Sequence, residues 1–243
     1  MARQNVRDTR AQSGEDGMFS VKKMISAALL ASAATVGAAG VAHAEGELSG
    51  NVALTSNYVW RGATQSDGAF AIQGGLDYAS DLFYAGVWAS SVDDFGIDAS
   101  TELDFYAGVT PSLGPVAFDI GVIFYNYPET TADSDFIELA LGATYSPIEA
   151  LELGVGAYLS DDFLATGDES LYLEATVGYT FSEAFSVSGG YGNFDMGNTL
   201  GEYDTWNIGA TLSFKGFDFD LRYFDEDGLG TGEEFAFTIS RAL

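Results

Sequence analysis

Carboxylates are the only abundant reactive side chains in this sequence. The chain holds 36 Asp and Glu against 9 Lys and Arg, with one histidine and no cysteine. The histidine, His43, lies in an amino-terminal segment set apart below, so the rest carries neither imidazole nor thiol. Ser-His-Asp and Cys-His nucleophilic catalysis, and His- or Cys-ligated zinc, have no residues to work with. Two acids suffice to hydrolyse a glycosidic bond, but carboxylates are so widespread that no pair stands out. Neither an enzyme nor a bound cofactor is expected. The acidic runs Asp93-Asp94-Asp98, Asp161-Asp162 and Asp225-Glu226-Asp227 offer the oxygen ligands that calcium prefers. Asp225-x-Asp227-Gly228 is only a fragment of an EF-hand loop, so loose screening by divalent ions is expected rather than a metal site.

The acids are not scattered at random. Asp77, Glu102, Asp104, Asp119, Glu138, Glu152, Glu174, Asp218, Asp220 and Glu234 all fall on the polar side of segments that alternate with period two. That period is the signature of a β-strand with two different faces. In the first segment Leu48, Val52, Leu54, Tyr58 and Trp60 oppose Ser49, Asn51, Thr55, Asn57 and Arg61. Later ones repeat the split, as in Val116, Phe118, Ile120, Val122 and Phe124 against Asp119, or Leu151, Leu153, Val155 and Leu159 against Glu152. Only Leu82 to Ser91 is apolar on both sides. The pattern predicts about twelve strands, an even number as in single-chain outer-membrane barrels. Connections of two to four residues (Ser80-Asp81, Pro111 to Gly114, Ser146 to Glu149, Ser182-Glu183, Lys215-Gly216) alternate with longer ones without exception. Short turns on one side and long loops on the other are expected of such a barrel, with both termini on the short-turn, periplasmic side.

A soluble β-sandwich alternates too. Against it, the apolar faces carry a single charge, Arg241, near the carboxyl end. A charge facing lipid costs roughly 2–4 kcal/mol at the midplane and little at the interface. Aromatics also gather at strand ends (Tyr58, Trp60, Tyr145, Phe181, Phe214, Phe217), where a girdle would meet the headgroups. The expected fold is therefore all-β, a transmembrane antiparallel up-and-down barrel. An open edge cannot exist in hydrocarbon, so the last strand must pair with the first.

The amino end reads separately. Lys22-Lys23, an apolar stretch from Met24 to Val41 and Ala42-His43-Ala44 are the three parts of a secretory signal peptide. Residues 18–44 are expected to be that leader, 1–17 an upstream extension from a mis-assigned start, and 45–243 the barrel. The leader region takes five of the nine basic and three of the 36 acidic residues, leaving four against 33 and a net charge near −29. Such a surface repels phosphate backbones, so nucleic acid is excluded as a partner. Outer-membrane lipid, lipopolysaccharide and the barrel-assembly machinery are the expected partners.

The stretch NVALTSNYVWRGATQSDGAFAIQGGLDYAS, followed by FYAGVWAS and ELDFYAGV, resembles the TorF-like porins, also called the Gcw_chp family. The most specific run is Tyr58, Arg61, Gly62, Gln65 and Ser66, and a looser likeness continues through VGYTFSEAFSVSGGYGNFD. The final residue departs, Leu243 standing where such barrels more often end in Phe. The resemblance implies an outer-membrane barrel more firmly than any substrate.

The expected pore lining is the ten acids above together with Arg61 and Arg222. An acid-lined lumen lowers the barrier for cations, which predicts passive diffusion of small hydrophilic solutes or cations. The alternative is a plugged structural or surface-interaction barrel. Inward glycines such as Gly75, Gly108, Gly121, Gly154, Gly178 and Gly192 leave room for water, or serve strand curvature. Arg61 is expected to pair with Asp67, Asp77 or a facing strand, in a structural or a gating role.

Overall fold

The computed structural model describes residues 46–93, 98–128, 130, 134–230 and 232–243. The extension 1–17, the leader 18–44 and Asp94 lie outside the described residues.

Twelve antiparallel strands form the wall: β1 (Glu47–Thr55), β2 (Ala71–Ala79), β3 (Phe83–Ser91), β4 (Thr101–Val109), β5 (Val116–Asn126), β6 (Phe136–Ile148), β7 (Leu151–Ser160), β8 (Ser170–Ser182), β9 (Phe185–Asp195), β10 (Glu202–Phe214), β11 (Phe217–Asp227) and β12 (Glu234–Ala242). Each pairs with its sequence neighbours, and β12 pairs with β1 through Val52↔Arg241 and Leu54↔Ile239. The sheet is thus a closed barrel, and its ring of backbone hydrogen bonds has no edge to expose to hydrocarbon.

The apolar half of each alternation faces out. Leu48, Ile72, Phe105, Val122, Ile137, Val155, Leu173, Ile208, Leu221 and Phe235 are all exposed, a burial pattern inverted relative to a water-soluble domain. The segment apolar on both sides is resolved by β3: Phe83 and Val87 face outward, Tyr84 and Trp88 inward. The start of β1, Glu47 opposite Ala79, and the end of β12, Ala242 opposite Asn51, lie at the rim of the short turns. One of these is Lys215-Gly216, where φ is positive at both residues (53° and 78°), the geometry that matches strand twist in a two-residue hairpin.

One expected strand does not run its full course. β1 stops at Thr55, and the first long connection turns into the lumen instead of extending the wall. Within it Val59–Trp60 pairs with Ala63–Thr64 about Arg61 and Gly62, whose φ values are 49° and 87°. The bend is built by Asn57. Its Oδ1 accepts from Thr64 Oγ1 (2.7 Å) and Ser66 Oγ (3.2 Å), while its Nδ2 donates to Glu234 (2.7 Å). Tyr58 and Trp60 therefore leave the girdle predicted for them. Tyr58, 2 % exposed, sits edge-on to Trp88 at 5.5 Å, and Trp60 packs on Tyr125 and Phe194. Past the wall these rings have no lipid to meet, and the lumen is where they escape water. The other expected girdle rings, Tyr145, Phe181, Phe214 and Phe217, stand on the outer surface.

Candidate functional site

The lumen has two levels. The outer level, on the long-loop side, is packed solid. Inward aromatics from successive strands (Trp88, Tyr125, Phe136, Tyr158, Tyr172, Phe194 and Tyr203) close around the first loop, joined by Phe163 from the connection after β7. At their centre Arg61 makes a two-pronged ion pair with Glu138 on β6, at 2.7 and 2.8 Å, with neither side chain exposed. The guanidinium lies over four rings, its Cζ 4.2 Å from the Trp60 centroid, 4.4 Å from Tyr172, 4.7 Å from Phe194 and 4.9 Å from Tyr158. Burial, the largest single influence, works against its charge, but the charge and hydrogen bonds of Glu138, with the nearby Tyr125 and Tyr172, together outweigh it and hold the guanidinium above its ordinary range. Of the partners expected for Arg61, the facing strand supplies it; Asp67 and Asp77 do not.

The residues of the specific sequence run act together as this loop. Tyr58 N–H donates to Ser66 Oγ (2.9 Å), Gln65 N–H donates to the Tyr58 carbonyl (2.6 Å), and the Gln65 carbonyl accepts from Asp93 N–H (2.8 Å). Gly62 touches the opposite wall, where any Cβ would collide with Thr205 Oγ1 and lie 3.3 Å from Glu226 Cβ. Positive φ and this close approach together require glycine there.

The inner level, toward the short turns, is polar. Tyr84 donates to Asp119 (2.8 Å) and Tyr106 to Asp77. Arg222 is spent on local partners, Asp220 (3.2 Å), Asn207 (2.7 Å) and Ser188 (2.9 Å), while Thr211 donates to Asp220 (2.7 Å). A polar recess of about 70 Å³ lies beneath the first loop, with Thr55, Asn57, Thr205, Asn207, Asp220 and Arg222 among its walls. It has room for a few waters.

All twelve residues expected to line a pore turn inward, and none of them is exposed. Glu102, Asp104, Glu138, Asp220, Arg61 and Arg222 are buried; Asp77, Asp119, Glu152, Glu174, Asp218 and Glu234 are partly accessible. They are not one ring: Glu102, Asp104, Glu138 and Arg61 belong to the packed level, Asp77, Asp119, Asp220 and Arg222 to the polar one. Each of the two arginines is held by one acid, so acids outnumber bases along the lumen.

The inward glycines do not chiefly hold space for water. Aromatic rings lie over them: Tyr84 against Gly108 and Gly121, Tyr106 against Gly86, Tyr172 against Gly192. Gly209 makes way for the Arg222 guanidinium, and Gly178 alone of this inner set has nothing within 4 Å. The inward tyrosines and phenylalanines are the functional residues the sequence reading missed. Their signal was present, an aromatic near the outer end of the polar side in most strands. Among the loop acids, Asp162 accepts from Gly167 N–H (2.7 Å), and Glu226 accepts from Leu229 (2.7 Å) and Gly232 N–H (2.8 Å). They cap turns, and among the described residues no three acids converge as a metal site.

A closed twelve-strand barrel, greasy outside and acidic within, has the architecture of the porin class. Among solved structures it resembles the KdgM porin, with a TM-score of 0.58 at 7 % identity over 80 % of this chain and 98 % of that one. The NanC porin matches at 0.55 and 9 %, over 81 % and 98 %, and an outer-membrane channel from Pseudomonas putida F1 at 0.51 and 13 %, over 81 % and 94 %. Identities this low speak for the fold alone. The sequence itself matches the family model described as "Bacterial protein of unknown function (Gcw_chp)" over residues 39–242, and the chain belongs to that family. No curated protein matches it.

Proposed function

We propose that this protein is a porin-like channel of the bacterial outer membrane, with both termini in the periplasm, through which small hydrophilic solutes or cations diffuse passively. The observation that carries it is the charge of the lumen. Ten inward carboxylates stand against two arginines, each already engaged by an acid. Unbalanced carboxylates in a narrow, low-dielectric tube concentrate cations and repel anions. The resemblance to TorF-like porins and the barrel fold point the same way. Residues 45–243, refolded into planar bilayers across a salt gradient, test it. A reversal potential of cation-selective sign is expected, and one of anion-selective sign overturns the preference.

A second reading, a plugged structural barrel, is favoured by the packed outer level, where Glu138 and Phe194 are 0 % exposed. Liposome swelling and conductance separate the two, since a permanently plugged barrel passes neither sugar nor ion.

A further inference from the structure

The outer level is packed like a core, yet several polar atoms pay for that packing. Among the described residues, Trp60 Nε1, Arg61 Nε, Trp88 Nε1 and Asp104 Oδ1 are buried with no hydrogen-bond partner. Two of the four belong to the first loop. Trp88 is the ring on which Tyr58 rests, and Glu102 and Asp104 lie near enough to Tyr58 to help hold its hydroxyl protonated, after burial itself. Unsatisfied buried groups are rare in native proteins, and each costs its full desolvation. These four lie between the loop and the wall it leans on. Withdrawing the loop would hydrate all of them at once.

The loop's own ties are few. Its inner ladder has two residue pairs, Val59↔Thr64 and Trp60↔Ala63, and neither strand joins the barrel sheet. Arg61 makes its one ion pair to the wall, and beyond that the loop has ring contacts, hydrogen bonds such as Asn57 to Glu234 and Tyr203 to the Arg61 carbonyl (2.9 Å), and the Gly62 contact with Thr205 and Glu226. Around the place the loop fills, the wall presents three acids on two strands that flank β5, Glu102 and Asp104 on β4 and Glu138 on β6.

We infer that the first loop, residues 56–70, is a displaceable gate latched by Arg61 to Glu138, and that its withdrawal exposes Glu102, Asp104 and Glu138 as the selectivity-determining constriction for cations. This rests on the channel function proposed above and adds to it which segment moves and which carboxylates the ion then meets. In the closed state Arg61 neutralises Glu138; in the open state all three acids face the passage. Two conformations of one loop, differing in hydration and in one ion pair, form a two-state element whose balance a single latch is able to shift.

The absence of cysteine makes a clean test possible. In Gly62→Cys/Glu226→Cys the new thiols start from Cβ positions about 3.3 Å apart, close to the separation a disulfide needs. Single-channel recording of the full mature barrel is expected to show openings in reductant that vanish on oxidation and return on reduction. Because Cys at position 62 strains the turn, Arg61→Ala/Glu138→Ala is recorded in parallel; its open probability should rise about tenfold over the parent. Adding Glu102→Gln/Asp104→Asn should bring the cation-to-anion permeability ratio of those openings down severalfold. If oxidised and reduced proteins conduct alike and the latch variant opens no more often than the parent, the gate is refuted while the channel stands. If parent, reduced cysteine pair and latch variant all pass no current, the channel proposal itself falls and the gate with it.

Discussion

Removing Glu138 alone should harm this protein more than removing Glu138 and Arg61 together. In Glu138→Ala the guanidinium loses two hydrogen bonds of 2.7 and 2.8 Å and stays enclosed where neither partner side chain was exposed. Tyr125, which donates to Glu138 at 3.1 Å, loses its acceptor as well. Stranding one member of a buried pair costs about 3–5 kcal/mol, because the surviving charge keeps its desolvation penalty without its partner. The four surrounding rings are present before and after the change, so they soften nothing. Replacing both members by apolar residues of similar volume, Arg61→Met/Glu138→Leu, removes the stranded charge and should fall within about 1 kcal/mol of the parent or above it. Guanidinium chloride unfolding in detergent micelles measures this, followed by tryptophan fluorescence, since Trp60 lies directly on the Arg61 guanidinium. A Glu138→Ala barrel within about 1 kcal/mol of the parent, or a double variant as unstable as the single one, would refute the idea that a buried pair organises the plug.

Other expectations are simpler. Gly62→Ala should cost about 1–3 kcal/mol through left-handed strain and collision with Thr205, and should raise open-channel current; an unchanged unfolding midpoint counts against the loop contact. Val122→Arg places a charge on the exposed outer face of β5 near mid-strand and should lower folding into lipid vesicles by roughly 2–4 kcal/mol, whereas Asp119→Asn on the inner face of the same strand should fold normally. Asp168, in the connection after β7, accepts from Thr199 N–H at 2.8 Å, and hydrogen bonding from the Thr199 side chain, together with this backbone bond, holds its carboxyl below the ordinary 3.8. A depressed folded value stabilises at pH above the unfolded value and is lost as pH falls through the folded one. The protection factor of the Thr199 amide, its exchange rate relative to the intrinsic rate at each pH, should therefore be larger at neutral pH and fall below about pH 4; a protection factor indifferent to acid would remove the contact.

Alternation made the wall legible. Apolar residues at every second position, interrupted by turns of alternating length, are enough to set the strand number, the closure and the inward direction of Asp77, Asp119, Glu152 and Glu174. What period two does not carry is where a strand leaves the sheet. Tyr58 and Trp60 continue the phase of Leu48, Val52 and Leu54, yet belong to a different structure, because Asn57 bends the chain through side-chain bonds to residues seven and nine positions later. The Arg61-Gly62 turn was the local clue, since a following glycine is what a left-handed pair requires. Nor does alternation reveal how full the inside is. The polar side was read through its acids and glycines, while the rings of Tyr84, Tyr106 and Tyr172 lie over those glycines from neighbouring strands. The partner of Arg61 was beyond sequence for a related reason, since Glu138 is 77 residues away and only barrel closure brings it near.

That separation bears on how the molecule is assembled. Arg61 belongs to the earliest part of the chain, whereas the strands that enclose it, β6 to β10, are synthesised later, and the seam joining β1 to β12 unites residues such as Val52 and Arg241 from opposite ends. The loop that fills the lumen and the strands that enclose it thus come from distant parts of the sequence, and the enclosure is complete only when β12 has closed on β1. Contacts of such long range form late and slowly, so chains cut short before β12 would have a cork and no bottle.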